Sequence, residues 1–246
     1  MSSLGESELS THRAYYNEFW GNHAVAPDSA EVERLAEILL EFSYAMDHLA
    51  PHGQRPRICD FGCGRGWLSA EFARFGDVTG VDLSSEGVRL AAERWPHIRF
   101  VAADLTRWRP GETFDLVVSS EVIEHVEDQA AFVATLGQVV RPGGYVILTT
   151  PTARAKQAYF GLGWEPQPIE AWLSSAQLKG LFARDFRVLR HRTYFFDFAH
   201  TGIYRLSNSG KLKRAFKALG LRHLYEGLQR NFDLGVTQII LARRKG

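Results

Sequence analysis

Short apolar segments alternate with amphipathic segments through the first 150 residues of the chain. The apolar segments lie near 57–61, 78–83, 98–105, 114–120 and 141–150, which is the usual length of a buried strand. The segments between them have helical spacing, as in the stretch that Ser84 opens and Pro96 ends. A longer amphipathic helix is predicted over 31–49. Alternation of this kind predicts parallel strands with helices on both faces of the sheet.

A glycine-rich turn follows the first predicted strand. Asp60 ends the strand, and Gly62, Gly64 and Gly66 follow at alternate positions before a helix that is predicted to run from about 67 to 75. Glycine allows a ligand to approach the backbone closely and allows positive φ. A dinucleotide-binding turn has the spacing G-x-G-x-x-G, which differs from the spacing here. The sequence therefore disfavours a nicotinamide enzyme.

Polar side chains also end the next three predicted strands. Asp82 ends the second strand, 22 residues after Asp60, Asp104 ends the third, and Ser119 and Ser120 end the fourth. Ligands of open parallel sheets bind at the carboxyl ends of the strands, where these residues would converge. Taken singly, each of them could also be a turn or cap residue.

The second half of the chain is less regular. A loop over 151–168 precedes a helix capped by Ser174, and strands are predicted over 186–196 and 236–243. The insertion 198–235 between them contains a helical stretch over about 209–230. Seven Lys and Arg residues lie between Arg205 and Arg230, against one acid, Glu226. The insertion is interpreted as a cap over the substrate, with a solvated helix face or a homodimer contact as alternatives.

An aromatic cluster occupies 13–20, near the start of the chain, and includes Tyr16. Two interpretations stay open for it. One is a helix that packs on the edge of the core. The other is a lid over the ligand.

Five ordered motifs over about 55–152 resemble those of the class I S-adenosylmethionine (SAM) dependent methyltransferases. The resemblance implies a Rossmann-like, doubly wound α/β sheet of seven mostly parallel strands with an antiparallel edge strand. It also implies one domain, divided into an N-terminal helical lid (1–55), a SAM-binding core (56–152) and a substrate-side half (153–246). Carried over position by position, the cofactor contacts it implies are Tyr16, Asp60, Gly62, Cys63, Gly64, Asp82, Leu83, Asp104, Leu105 and Ser120.

Each of these positions has an implied role. Asp82 would hold the ribose hydroxyls, and Asp104 would meet the adenine amino group beside the Leu105 amide. The backbone at Gly62 and Gly64 would meet the methionine moiety, and Ser120 would lie near the sulfonium.

Two glutamates and a histidine follow the fourth strand. If an α-helical turn starts there, Glu121, Glu124 and His125 share one face at i, i+3 and i+4. Such a set suits Mg²⁺ or Mn²⁺, which would lower the pKa of a hydroxyl acceptor. The segment resembles the metal-binding segments of ubiquinone-pathway O-methyltransferases and of small-RNA 2′-O-methyltransferases. The alternatives are that His125 is a general base without metal, and that the glutamates only favour a helix N-terminus.

Further candidates for the acceptor pocket come from the second half. An aromatic set, most of it expected in the core, includes Trp164, Trp172, Tyr194, Phe195, Phe196 and Phe198. A fourth metal ligand could be His191 or His200, but neither is fixed by spacing.

Composition limits the class of protein without changing this picture. The 246 residues carry a formal net charge of +1, which argues against a general polyanion binder. The two cysteines, Cys59 and Cys63, are interpreted as packing residues, and neither a signal-peptide pattern nor a membrane span is expected, so a cytoplasmic location is predicted.

We therefore predict a SAM-dependent methyltransferase that acts on a small molecule, at a hydroxyl oxygen. The alternatives are an RNA 2′-O-methyltransferase and a non-catalytic SAM-binding protein.

Overall fold

A computed structural model describes residues 6–22, 29–49, 55–156, 167–194, 209–231 and 234–246. Among the residues singled out above, Trp164, Phe195, Phe196, Phe198 and His200 lie outside these described residues.

One seven-stranded sheet forms the centre of the described chain, in the order β3-β2-β1-β4-β5-β7-β6. The strands β1 to β5 are parallel, and β7 pairs antiparallel with both β5 and β6. The predicted doubly wound, mostly parallel sheet is confirmed, and the antiparallel strand lies one position in from the edge. The strands are β1 Arg57–Phe61, β2 Asp77–Asp82, β3 Arg99–Ala102, β4 Phe114–Ser120, β5 Val140–Pro151, β6 Phe186–Tyr194 and β7 Thr237–Arg244.

The helices begin where the sequence offers caps. The Ser84 hydroxyl accepts a hydrogen bond from the Gly87 amide, and Ser174 forms a capping box with Gln177. The helix after the glycine turn ends at Phe72, three residues earlier than predicted, because the chain turns into β2 through Gly76. The helices are α1 Glu6–Asn22, α2 Ser29–His48, α3 Trp67–Phe72, α4 Ser85–Arg94, α5 Gln129–Val139, α6 Ser175–Phe182, α7 Gly210–Ala218 and α8 Arg222–Asn231.

None of the helices in the described ranges combines the length and the apolar composition that a bilayer crossing requires.

Both faces of the sheet are covered, since successive strand residues point to opposite sides. Ile58 of β1 packs with Phe42 of α2 and Phe72 of α3 on one face. Its neighbour Cys59 packs with Phe132 of α5 on the other face. Cys59 and Cys63 are both free and buried, and burial raises the pKa of each thiol, as expected of packing residues.

A buried ion network ties α2 to β6. The Arg192 Nε donates to Glu37 Oε2 at 2.8 Å, and the same guanidinium bonds the carboxylate of Glu41. The other oxygen of Glu41 lies 3.5 Å from Arg190 Nη1, and Glu41 is buried. This network joins the N-terminal third of the chain to the antiparallel strands.

Replacing Arg192 with methionine should lower the free energy of unfolding by about 3–5 kcal/mol, because two buried carboxylates lose their main partner. Urea denaturation measures the change. The control is Arg89→Met, which removes exposed pairs with Glu86 and Glu93 and should lower the free energy of unfolding far less. Equal losses in the two variants would contradict the importance of the buried network.

Candidate active site

A cavity of about 1060 Å³ opens at the carboxyl edge of the parallel strands. It exceeds the usual range of about 300–1,000 Å³ for a single small ligand, so it has room for a cofactor and an acceptor. Gly64 is absent from the described lining, since Trp20 covers it. The other predicted site residues all line the cavity: Tyr16, Asp60, Gly62, Cys63, Asp82, Leu83, Asp104, Leu105, Ser120, Glu121, Glu124 and His125.

Neighbouring side chains pack directly against the backbone of the glycine turn. Gly62 has φ 96°, and a Cβ there would lie 2.2 Å from Val122 Cγ2. Gly64 has φ 50°, and its Cβ would lie 2.5 Å from the Trp20 ring. The amides of Gly62 and Cys63 donate to the Val81 carbonyl, at 2.7 and 3.0 Å. The turn is thus held onto β2, and neither glycine tolerates a side chain.

Asp82 connects this turn to α4. Its Oδ2 accepts from the Gly64 amide and its Oδ1 from the Ser84 amide, each at 2.8 Å. The Leu83 amide also bonds to this carboxylate, which keeps acceptor capacity for donors of a ligand. Burial raises the pKa of Asp82, although the amide bonds oppose that effect.

Asp60 is the most enclosed acid of the cavity, with 1% of its surface exposed. Its Oδ2 accepts from the Ser69 hydroxyl at 2.6 Å. Burial, with a further contribution from Asp82, raises the pKa of Asp60 to about 7. A bound cation would favour the ionised carboxylate.

Asp104 and the serines after β4 occupy different environments. The Asp104 Oδ1 accepts from the amide and hydroxyl of Thr106, at 2.9 and 2.7 Å, beside the buried Leu105. Ser120 lines the cavity and lies 3.0 Å from the Thr149 hydroxyl. Ser119 is buried and donates to the Phe61 carbonyl at 2.8 Å, so it has a structural role.

The α-helical turn expected at Glu121 does not form, and that expectation is wrong. Glu121 adopts φ 55°, and only a short 3₁₀ turn, Ile123–His125, follows. The Glu121 amide still pairs with the Thr149 carbonyl at 3.0 Å, which continues the sheet past β4 and displaces the helix start. The i, i+3, i+4 face therefore does not exist.

The three side chains consequently have separate partners. Glu121 lies 3.9 Å from Arg34 Nε, and Glu124 is buried and accepts from the Thr150 hydroxyl at 2.9 Å. The His125 Nδ1 is 2.9 Å from the Ile169 carbonyl. Within the described ranges, no three His, Cys, Asp or Glu side chains are grouped to hold a metal ion. The predicted metal site at Glu121, Glu124 and His125 is therefore not supported.

Of the candidates for a fourth ligand, His191 is the one described. Its Nε2 lies 3.1 Å from Gln238, and it is absent from the described cavity lining.

Burial is the main cause of an altered pKa at Glu124. It raises the pKa well above the ordinary range, and the neighbouring Glu121 adds to the effect. The His125 Nε2 lies 3.9 Å from Glu124 Oε1. If His125 were protonated, an ionised Glu124 carboxylate at this distance would act as its counter-charge.

The helix α1 lies across the cavity. The Tyr16 hydroxyl donates to Gln167 Oε1 at 2.8 Å, and its ring centroid is 6.1 Å from that of His125. The Asn17 Oδ1 accepts from the Ser84 hydroxyl at 2.8 Å, which fixes α1 to the start of α4. The aromatic segment thus contacts both the cavity and the core edge, and a lid role stays a prediction.

Sequence reasoning missed several lining residues. His12 is buried with its Nε2 unpartnered, and its position four residues before Tyr16 could have placed it on the same helix face. Arg34 of α2 lies opposite Glu121, which no sequence pattern indicated. Trp172 and Tyr194 of the predicted aromatic set do line the cavity.

The helices of the insertion do not contribute to the described lining. None of the side chains described in 209–231 is among the lining residues, so the described part of the insertion does not support the cap interpretation.

Acidic groups dominate the cavity. Among its described lining residues, nine are Asp or Glu and two are Arg. Such a site favours cationic ligands and repels phosphates.

Comparison with known proteins identifies relatives of this chain. A family model described as a methyltransferase domain matches residues 29–226. A ubiquinone biosynthesis O-methyltransferase of Mesorhizobium japonicum is 35% identical over 159 residues, covering 50% of this chain and 63% of that protein. One of Rhizobium rhizogenes is 30% identical over 190 residues, covering 70% of this chain and 73% of that protein. Several other relatives of this name are matched over only about half of their length.

Solved structures share the fold. The N-methyltransferase NodS of Bradyrhizobium japonicum WM9, in complex with S-adenosyl-L-homocysteine (SAH), has a TM-score of 0.60 at 15% identity, covering 96% of this chain and 98% of that chain. The magnesium protoporphyrin IX methyltransferase of Synechocystis PCC 6803, with bound SAH, has a TM-score of 0.61 at 17% identity, covering 96% and 99%. At 15–17% sequence identity, these similarities show a shared fold and do not extend to substrate or activity.

Replacing Asp82 with asparagine should weaken SAH binding by about tenfold to a hundredfold, because one acceptor oxygen and the charge are lost. Titration calorimetry measures the affinity. The control is Asp77→Asn, an exposed acid at the opposite end of β2. Equal affinity in wild type and Asp82→Asn would contradict the assignment of Asp82 to the cofactor.

SAH affinity should rise as the pH is raised through about 7. The pKa of Asp60 is above its ordinary value of 3.8, so the group is protonated below about pH 7 and gains its charge above it. The charged form attracts the ligand's ammonium group, so binding should release a proton. Calorimetry in buffers of different ionisation enthalpy measures the release. Asp60→Asn should abolish the pH dependence, and an unchanged slope in this variant would assign it to another group.

Proposed function

The chain belongs to the class I SAM-dependent methyltransferases, and from that premise we propose that it methylates a hydroxyl oxygen of a small-molecule acceptor. The observation that carries the proposal is the convergence of Asp60, Asp82 and Asp104 with His125 in one cavity. The named activity of the ubiquinone-type relatives supports the choice of oxygen.

The residues present fit the cofactor. Gly62 lines the cavity together with the carboxylates of Asp60 and Asp82. Asp82 would accept from the ribose hydroxyls with its remaining acceptor sites, Asp104 would accept from the adenine amino group, and Asp60 would face the ammonium end. When bound, the cofactor supplies an activated methyl group on its sulfonium.

His125 would then accept the proton of the acceptor hydroxyl. A carbonyl oxygen only accepts hydrogen bonds, so the contact with Ile169 requires the proton on Nδ1. The lone pair is therefore on Nε2, the nitrogen that faces Glu124. A base fixed in this tautomer can remove a proton as the nucleophile approaches the methyl carbon.

Glu124 and Tyr16 would position this base. Glu124 is held by Thr150. Burial raises the pKa of its carboxyl, but an imidazolium that forms beside it would favour the ionised form and gain a counter-charge. Tyr16 packs edge-on to the imidazole, where it would limit the access of water. We propose that these groups act without a metal ion, since Glu121, Glu124 and His125 have separate partners.

The cavity lining disfavours a polyanionic acceptor. The excess of acidic groups opposes an RNA substrate, whose phosphates would be repelled. Trp172 and Tyr194 provide apolar walls of the kind that bind an aromatic ring. We therefore propose a small molecule, and not RNA, as the methyl acceptor.

The test is SAH formation from SAM with a panel of phenols and catechols, compared with amines and with a small RNA duplex. Turnover restricted to hydroxyl acceptors is expected. Turnover of the RNA, or of amines alone, would overturn the proposal.

Replacing His125 with glutamine should lower kcat by about 10²–10⁴-fold and leave SAH affinity nearly unchanged, because glutamine can still donate to Ile169 but cannot accept a proton. Steady-state kinetics and calorimetry measure the two effects. The control is His48→Gln, since His48 also contacts a backbone carbonyl through Nδ1 but is exposed on α2. Unchanged kcat in His125→Gln would exclude it as the base, and activity lost with EDTA and restored by Mg²⁺ would contradict a metal-free mechanism.

A further inference from the structure

An arginine and a glutamate that take no part in the proposed proton transfer face the same cavity as His125. Arg34 belongs to α2 and Glu121 follows β4, and both line the cavity. The Arg34 Nε lies 3.9 Å from Glu121 Oε1, a distance too long for a hydrogen bond. The two side chains therefore balance each other's charge without a hydrogen bond between these atoms.

Both groups keep hydrogen-bonding capacity that the described chain does not use. The guanidinium of Arg34 carries five N–H donors, and it makes no hydrogen bond with the described part of the protein. The Glu121 Oε1 is buried and has no hydrogen-bond partner there either. Buried polar atoms of folded proteins are nearly always hydrogen-bonded. Unpartnered donors and an unpartnered acceptor on one cavity wall therefore point to a ligand group that binds both.

A structural ion pair of the same protein has a different geometry. The Arg192 Nε donates to Glu37 Oε2 at 2.8 Å, and the same guanidinium also bonds Glu41. Those contacts hold α2 against β6. Arg34 and Glu121 make no bond of this kind, so their pairing does not serve mainly to hold two elements together.

The backbone of Glu121 is held in a strained conformation. Its φ of 55° is the one positive value at a non-glycine residue in the described ranges. Strain of this kind occurs most often at ligand sites, where it fixes a side chain in position. The Glu121 amide pairs with the Thr149 carbonyl at 3.0 Å, which holds the residue in this conformation. The carboxylate is thus fixed beside Arg34.

Glu124 connects this pair to the proposed base. Its carboxyl interacts with that of Glu121, and its Oε1 lies 3.9 Å from the His125 Nε2. The charge of Arg34 also acts on Glu124. An acceptor whose hydroxyl meets His125 therefore has a second part within reach of Arg34 and Glu121.

We propose that Arg34 and Glu121 select the methyl acceptor by binding an uncharged substituent that both accepts and donates hydrogen bonds. A hydroxyl and a primary carboxamide share this chemistry. The oxygen of either group accepts from Arg34, and its O–H or N–H donates to Glu121. The inference rests on the proposed function and states which small molecules the site admits.

A charged substituent satisfies only half of the pair. A carboxylate would bind Arg34 but would be repelled by Glu121, whereas an ammonium group would bind Glu121 but would be repelled by Arg34. Glu31 and Glu124 also act on the charge of Arg34. The discrimination against an anionic substituent should therefore be the stronger of the two.

The experiment is titration calorimetry of the full chain, saturated with SAH, with four phenols that differ at the meta position. 3-Hydroxybenzamide and resorcinol carry an uncharged substituent, 3-hydroxybenzoate carries an anion, and 3-hydroxybenzylamine carries a cation at neutral pH. The wild type should bind both uncharged probes at least about tenfold more tightly than either charged probe. Binding is measured without turnover, so the result does not depend on which atom is methylated.

Removing one charge at a time should shift the preference in opposite directions. Glu121→Gln leaves Arg34 uncompensated and should improve the binding of 3-hydroxybenzoate, relative to 3-hydroxybenzamide, by about tenfold. Arg34→Met leaves Glu121 uncompensated and should improve the relative binding of 3-hydroxybenzylamine by about the same factor. SAH affinity, measured first, verifies that each variant folds.

The matched controls are Arg99→Met and Glu112→Gln. These residues form an exposed ion pair with an Nη1–Oε1 distance of 3.1 Å, and neither belongs to the described cavity lining. The order of probe affinities should be unchanged in both controls.

Two results would overturn the inference and leave the proposed function in place. One is tightest binding of a charged probe by the wild type. The other is an unchanged order of affinities in both Glu121→Gln and Arg34→Met. A different result, binding of SAH without binding of any of the four phenols, would contradict a phenolic acceptor. It would overturn the proposed function and this inference together.

Discussion

The enclosure of carboxylates at the carboxyl edge of the sheet is the constraint on which the rest of the structure depends. Burial raises the pKa of Asp60, Asp82 and Glu124, so each charge there needs a compensating donor or cation. Backbone amides supply part of the compensation at Asp82, and the Ser69 hydroxyl does so at Asp60. A cationic ligand would supply the rest, which gives the edge its preference for a sulfonium compound with a free ammonium group.

The same edge is covered by α1, near the start of the described chain, and by the segment that contains Gln167 and Ile169. The helix α1 lies over the glycine turn through Trp20, and Tyr16 reaches both His125 and Gln167. At the other side, the contact from Ile169 fixes the imidazole tautomer. The environment of His125 thus depends on contacts between segments that are distant in the chain, 44 residues apart for Ile169 and His125 and 151 for Tyr16 and Gln167. The ion network between Arg192 and α2 also holds α2 against β6.

The failed expectation at Glu121 shows where local patterns lose their value. Spacing predicted a shared helical face, but continued pairing of Glu121 with Thr149 held this residue to the sheet edge. Glu121 has a positive φ and lies beside Arg34, whereas Glu124 and His125 remain 3.9 Å apart in the short 3₁₀ turn that follows. Here the hydrogen bond to the neighbouring strand, and not the helical spacing, decides the backbone conformation of Glu121. The partner in that bond is 28 residues away, so a local sequence pattern could not predict it.

By itself the sequence determined the parallel sheet, the glycine turn, and the acids that end β1, β2 and the segment after β3. Those features depend on residues near one another in the chain, namely apolar periodicity, caps and glycines. Only the tertiary structure decided the partners of Glu121 and His125, the presence of His12 and Arg34 in the cavity, and the separation of the described insertion helices from it. The physical reason is that each of these depends on which distant backbone or side-chain group becomes the hydrogen-bond or packing partner, and packing settles that choice across the whole sheet.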